Sequence, residues 1–319
     1  SFFMGALTEK YPNVLWESYN AGIGGTGSLS GLMRAEKEVV APKCDVVFVE
    51  YAVNDYFEEK EPYRRAREGL VRKLRKAGID VVFLYTFRTE MHADMAAGRM
   101  PRIIEEMETL AKHYGVGSVW AGLHAYRAVC AGRLTWEQWL PASGGTLHPE
   151  AAGSALYAEA AVRFLAEEIG REGGAKLPLP APLDEKNYEN ISPVPRENWS
   201  VAPPWRIVRE LKYPWFDTAV FTAADGAAMQ VRFTGRMIAA HIDFGKRHGV
   251  LRYRIDGGNE RVFEGPRYDW VPDADWCIPV LLADDLDRGE HTLELSTHFI
   301  DMPQCKGSEC AIYTFMSVK

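Results

Sequence analysis

A chain of 319 residues is long for one domain, and it carries ample apolar material for two cores. Hydrophobic residues make up 47% and charged residues 25%, the balance of a soluble globular protein. The net charge of −7 argues against a nucleic acid as the main partner, and no window approaches the uninterrupted apolar length of a membrane span.

The sequence opens on Ser1, not Met, and shows no signal peptide. The reading is a soluble protein without a membrane partner, with the cytoplasm favoured and the oligomeric state open. Five cysteines, Cys44, Cys130, Cys277, Cys305 and Cys310, are odd in number and lack C-x-x-C spacing. That pattern disfavours a zinc site or a disulfide framework, although Cys305 and Cys310 could pair in a secreted protein.

Ser1–Lys10 reads as the back half of a helix, ended by Tyr11-Pro12. Strands are predicted at Val14–Tyr19, Asp45–Tyr51, Asp80–Thr86 and Gly117–Ala121. Two of them carry the continuous apolar runs expected of parallel strands buried on both faces. Amphipathic helices are predicted at Ser28–Val40, Glu61–Lys76, Met100–Tyr114 and Pro149–Ile169, with Gly78 and Gly115 where C-caps belong. The alternation implies a doubly wound α/β domain over 1–172. A βα unit should begin with a strand, and none precedes the first helix.

Residues 173–204 are proline-dense, as in Lys176-Leu-Pro-Leu-Pro-Ala-Pro182, and read as a semi-rigid linker. Residues 205–319 read as short strands broken by glycine turns, including Ala219–Thr222, Ala228–Phe233, Met237–Phe244, Leu251–Ile255 and His291–Leu295. That pattern suggests an all-β sandwich, jelly-roll-like.

Three motifs carry chemistry. Asn20-Ala-Gly-Ile-Gly-Gly25 follows the first predicted strand. Its glycines let a backbone approach a reacting oxygen closely. The same loop, Gly22 to Gly27, also satisfies the G-x-G-x-x-G dinucleotide fingerprint, with Glu50 ending the next strand. Asn54-Asp55 follows the second strand, at the carboxyl end where open α/β sheets bind ligands. An Asn amide and a glycine N–H are the donor types that stabilise a developing oxyanion. His148-Pro149 is held in a rigid turn at the start of a helix, which suits a general base. The bland alternatives are a strand-end turn residue for Asn54 and a helix-flanking residue for His148.

Together these blocks resemble the SGNH branch of the GDSL hydrolase family over roughly residues 1–170. The resemblance implies a flavodoxin-like, three-layer α/β/α domain, with Gly25 and Asn54 as the oxyanion hole and His148 as the base. It implies no metal and no cofactor. The family's nucleophile block is absent, so the sequence reads as truncated ahead of its serine, and residues 1–319 alone are expected to be inactive. Ser28, Ser30 and Ser143 are poor substitutes, the first two resembling helix caps. The family's Asp-x-x-His places its acid at Gly145, so either a backbone carbonyl holds the imidazole in a Ser-His dyad or Glu150 or Asp55 contributes from an unusual offset.

Relatives with an added β-sandwich are often carbohydrate deacetylases, which implies an O-acetylated sugar or oligosaccharide ester as substrate. Arg88, after the Asp80–Thr86 strand, is expected near the rim of the crevice, in reach of substrate. Trp205, Trp215, Trp270 and Trp276 offer either a sugar-stacking face or packing for the β domain. Two other readings are a non-catalytic carbohydrate-binding protein with a degenerate hydrolase domain and a dinucleotide-binding protein.

Overall fold

A computed structural model describes residues 2–141, 147–171, 178–210, 212–213, 215–273 and 276–319. The chain divides into two compact units, one of residues 1–28 and 35–187, the other of residues 29–34 and 188–319.

In the first unit, parallel strands β1 (Val46–Val49), β2 (Asp80–Leu84) and β3 (Gly117–Val119) lie side by side in that order. Val46 pairs with Asp80, and Val82 pairs with Phe48 on one side and Gly117 on the other. Central β2 buries Val81, Val82 and Phe83, as its apolar run requires. Its helices are α1 (Phe2–Lys10), α3 (Lys60–Lys76), α4 (His92–Ala96), α5 (Arg102–Tyr114), α6 (Ala121–Cys130), α7 (Trp136–Trp139) and α8 (Ala151–Ile169), while α2 (Ser28–Ala35) has its two end residues in this unit and residues 29–34 in the other. Helices α3 and α5 pack together against β2 and β3, while α1, α6 and α7 gather on α8. The result is an α/β domain with helices packed on a parallel sheet.

Sequence accounts for these elements locally. Helix α3 turns Ala66, Leu70, Val71 and Leu74 inward and ends on Lys73, Arg75 and Lys76, cations suited to a helix C-terminus. Helix α5 stops at Gly115, whose φ of 60° lets its N–H return to the Ala111 carbonyl.

One expected strand does not form. Val14–Tyr19 is irregular, and Leu15 is 88% exposed. A strand needs a neighbour for its backbone groups, and none of the described residues supplies one there. The outer edge of β1 is likewise unpaired among the described residues.

Part of the stretch read as a linker folds onto the first unit. Buried Glu68 accepts the N–H groups of Leu183 and Asp184 at 2.5 and 3.0 Å, and Arg72 Nη1 donates to the Pro180 carbonyl at 2.8 Å. No described helix is long and apolar enough to cross a membrane.

The second unit is all-β. Its strands are β4 (Ile191–Pro193), β5 (Arg206–Arg209), β6 (Thr218–Thr222), β7 (Ala228–Gly235), β8 (Met237–Asp243), β9 (Val250–Ile255), β10 (Arg261–Phe263), β11 (Cys277–Ala283), β12 (Gly289–His298) and β13 (Cys310–Val318). One antiparallel sheet runs β10-β9-β12-β7, and another runs β11-β8-β13-β6-β5 with β4 also on β13. Strand β7 alternates strictly between exposed and buried residues. Its Val231 and Phe233 share one core with Leu293 and Leu295 from the same sheet and Ile242, Val280 and Phe315 from the other. Two sheets around one core make a sandwich.

Trp205 and Trp276 are packing residues at 3% and 9% exposure. All five cysteines are free. Ser30, which falls in this unit, is fully buried, and its hydroxyl lies 3.0 Å from His241 Nε2.

Candidate active site

The segment Asn20–Gly27 is a self-bonded loop. Asn20 Oδ1 accepts the Gly22 N–H at 2.9 Å, and the Thr26 hydroxyl donates to the Ile23 carbonyl at 2.9 Å. Gly25 sits at φ 70°, in the left-handed region that favours glycine. Gly27 is dictated by close approach, since a β-carbon there would stand 2.2 Å from Asp55 Oδ1.

The chain leaving β1 makes a second loop that closes on the first. Glu50 accepts the Val53 N–H at 3.3 Å, and a short 3-10 helix, Asn54–Phe57, follows. Asn54 Nδ2 donates to the Thr26 carbonyl at 2.9 Å. Asp55 Oδ1 accepts the Ser28 N–H at 2.9 Å and so caps α2, whose own N-cap, Gly27, has no side chain to do so. Ser28 instead turns its hydroxyl to the Tyr63 carbonyl. Asp55 Oδ2 meets Arg67 Nη1 at 2.9 Å, and Arg67 Nη2 reaches Glu106 at 2.9 Å. Burial pushes the Asp55 carboxyl up, while Arg67 and Ser28 pull it down. The glycine loop and the Asn54 turn are thereby joined at the carboxyl end of the sheet.

His148 lies in a bend ahead of α8, exposed, with no hydrogen-bond partner among the described residues. The start of α8 is anchored on Trp139, which is fully buried. The Glu150 N–H donates to the Trp139 carbonyl at 2.8 Å, and a β-carbon at Gly153 would stand 2.4 Å from the Trp139 ring. The Trp139 ring in turn lies 4.6 Å from Phe87, just past β2. Ser143 and Gly145 fall outside the described residues.

Arg88 is half-buried, and its guanidinium is engaged. Nη1 donates to the Val53 carbonyl, while Nε and Nη2 grip Glu90 at 2.8 and 3.0 Å. The same group lies over the rings of Tyr56 and Phe57. It therefore clamps the turn that carries Asn54.

Glu50 was not foreseen as part of the site. Its carboxyl is bonded to Val53 and Thr86, and burial pushes it up to about 7. Below pH 4.5 the group is neutral in folded and unfolded chains alike, so its burial costs nothing there. Between that pH and about 7 the folded chain holds the extra proton, so stability falls as pH rises. Glu50→Gln is expected to gain stability relative to wild type across this interval and to hold the gain above it. Urea unfolding in a pH series checks this, and a difference that does not change with pH would contradict it.

The first unit thus presents two joined loops at the carboxyl end of a parallel α/β sheet, where such sheets bind ligands. Residues 3–156 match the model of the GDSL-like Lipase/Acylhydrolase family, and the chain is a carboxylic ester hydrolase. No curated protein matches it in sequence. The crystal structure of a two-domain esterase (CEX) active on acetylated mannans is similar at a TM-score of 0.80 and 21% identity, covering 99% of this chain and 84% of that one. The same esterase co-crystallised with mannopentaose gives a TM-score of 0.79 at 21% identity, covering 99% and 83%. At that identity the likeness is one of fold.

Proposed function

We propose that the protein is a serine esterase of SGNH type that deacetylates O-acetylated carbohydrate. The observation that carries the reading is the closure of the Asn54 turn on the glycine loop, through Asn54 Nδ2 to the Thr26 carbonyl at 2.9 Å. That bond uses one of the two Asn54 amide hydrogens and leaves the other to an oxyanion. The second donor is the Gly25 N–H, in an exposed loop held at positive φ.

The nucleophile is a serine N-terminal to residue 1, on a parallel strand seated along the outer edge of β1. Two features support this. Along that edge Val46 is 36% exposed, and the unpaired Val14–Tyr19 segment leaves Val14 and Tyr19 45% and 63% exposed. Ser28 and Ser30 are fully buried and bonded elsewhere.

In the reaction the serine hydroxyl attacks the acetyl carbonyl and His148 takes its proton. The tetrahedral oxyanion rests on Gly25 and Asn54. Collapse expels the sugar oxygen, which receives the proton back from His148. Water, deprotonated by His148, then cleaves the acetyl-enzyme to acetate. Without an aspartate at position 145, His148 and the serine form a dyad. The acetylated-mannan esterase that shares this fold supports an acetylated hemicellulose as substrate.

Acetate release from acetylated galactoglucomannan, by the protein carried from its natural start, tests the proposal. Release well above the rate of an Asn54→Ala variant is expected, with a gap of about 10²–10³-fold for one oxyanion donor. Equal rates would overturn it.

A further inference from the structure

In the second unit, one face of a sheet is dry where a sandwich ordinarily meets water. Along β8, Ile238, Ala240 and Ile242 point into the sandwich core. The alternate set, Met237, Ala239 and His241, points the other way and is fully buried all the same. Ala219, Cys277 and Tyr313 on neighbouring strands form a separate apolar cluster with Phe216 packed on it. The Phe216 ring stacks on Tyr313 at 4.7 Å and lies 5.4 Å from the His241 ring.

His241 finds its polar partner on α2, whose residues 29–34 group with this unit. Ser30 Oγ lies 3.0 Å from His241 Nε2, and Arg34 Nε donates to the same hydroxyl at 3.4 Å. The Arg34 guanidinium lies 5.6 Å over the Trp215 ring. Burial, with Arg34 nearby, holds His241 down at about 3, so the ring is neutral at neutral pH. A hydroxyl donates to a bare imidazole nitrogen or accepts from a protonated one, so the bond forms in either tautomer. His241 Nδ1 has no hydrogen-bond partner among the described residues, which leaves Ser30 as the ring's one such partner there.

An aliphatic side chain at position 241 would fill an apolar face with no polar group to satisfy. What the Ser30–His241 pair adds is direction. Apolar contacts tolerate a slide or a rotation of a helix, whereas a hydrogen bond weakens steeply with distance and angle. The helix held in this way is the one that leaves the glycine loop. Its first residue, Ser28, directly follows Gly27, and the Ser28 N–H is bound by Asp55 Oδ1. Gly25 stands three residues ahead of Ser28. A shift of α2 along or about its axis therefore pulls on the Gly25 N–H through the chain.

We propose that Ser30 and His241 are positioning residues of the esterase reaction, their buried bond fixing α2 and thereby aiming the Gly25 N–H at the oxyanion. They act through the loop and touch no substrate. That Gly25 is an oxyanion donor rests on the function proposed above.

The test compares kcat and KM for p-nitrophenyl acetate in the protein carried from its natural start. The variants are His241→Leu, His241→Gln, Ser30→Ala and the double variant Ser30→Ala/His241→Leu. Small misplacements of a reacting group cost up to about 10²-fold, so His241→Leu is expected to lower kcat about ten- to a hundredfold with KM little changed. Ser30→Ala should lose as much, and the double variant no more than either, because all three break one bond. A Gln amide reaches the place of Nε2, so His241→Gln should recover most of kcat. Thermal melts identify the variants that are folded. Ser30→Ala sets a good helix former in the helix and carries the test if His241→Leu does not fold. The proposal is overturned by a folded His241→Leu or Ser30→Ala with wild-type kcat, by losses that multiply in the double variant, or by His241→Gln as slow as His241→Leu. A wild type that fails to hydrolyse the ester sinks the esterase reading and this inference with it. A wild type slowed by Asn54→Ala but indifferent to His241→Leu and Ser30→Ala keeps the esterase and removes this inference alone.

Discussion

Replacing His148 by alanine, in the protein carried from its natural start, is expected to lower kcat for p-nitrophenyl acetate by about 10³-fold or more, with little change in KM. A serine hydroxyl is a weak nucleophile until a base removes its proton in the transition state, and substrate binding alone makes no use of that base. The loss belongs in kcat for this reason. His148 is exposed and has no hydrogen-bond partner among the described residues, so the variant should melt with the wild type. A folded variant within tenfold of wild type would show that another group accepts the proton.

Asp55→Ala is expected to cost about 3–5 kcal/mol of stability in urea unfolding. The substitution strips the Arg67 guanidinium of its fully buried carboxylate, leaving the partly exposed Glu106 as its ion-pair partner among the described residues. It also uncaps α2, because the Ser28 N–H has Asp55 Oδ1 as its acceptor. Asp55→Asn keeps an acceptor for that N–H and should lose less. The same contact holds the glycine loop against the Asn54 turn, so whatever folded Asp55→Ala remains should also turn over more slowly. A cost under about 1 kcal/mol would mean that Arg67 finds water or a new partner at no penalty.

Much of the fold was legible because its signals are local. The runs Asp-Val-Val-Phe-Val and Asp-Val-Val-Phe-Leu became β1 and β2, and glycine stops placed the end of α5. Val14–Tyr19 failed because strand formation depends on a neighbour, which no property of the segment itself reveals. Strand β11 escaped notice because Pro279 interrupts its apolar run. It is tolerated since β11 ends its sheet beside β8, where one side of the backbone needs no ladder partner. The glycine loop, Asn54 and His148 are proposed from motif order and spacing, and the structure joins the first two. The capping of α2 by Asp55, the Arg67 pair and the raised Glu50 carboxyl could not be read in this way, because each joins residues far apart in the chain. The one advance hint was a carboxylate, Glu50, closing an apolar strand.

The most direct test of the central claim is to react the protein, carried from its natural start, with a fluorophosphonate and to map the adduct by peptide mass spectrometry. The expected result is one phosphonylated serine N-terminal to residue 1, with labelling slowed strongly by His148→Ala. An adduct on Ser28, Ser30 or any other serine of residues 1–319 would contradict the account, as would an unlabelled protein that still hydrolyses the ester.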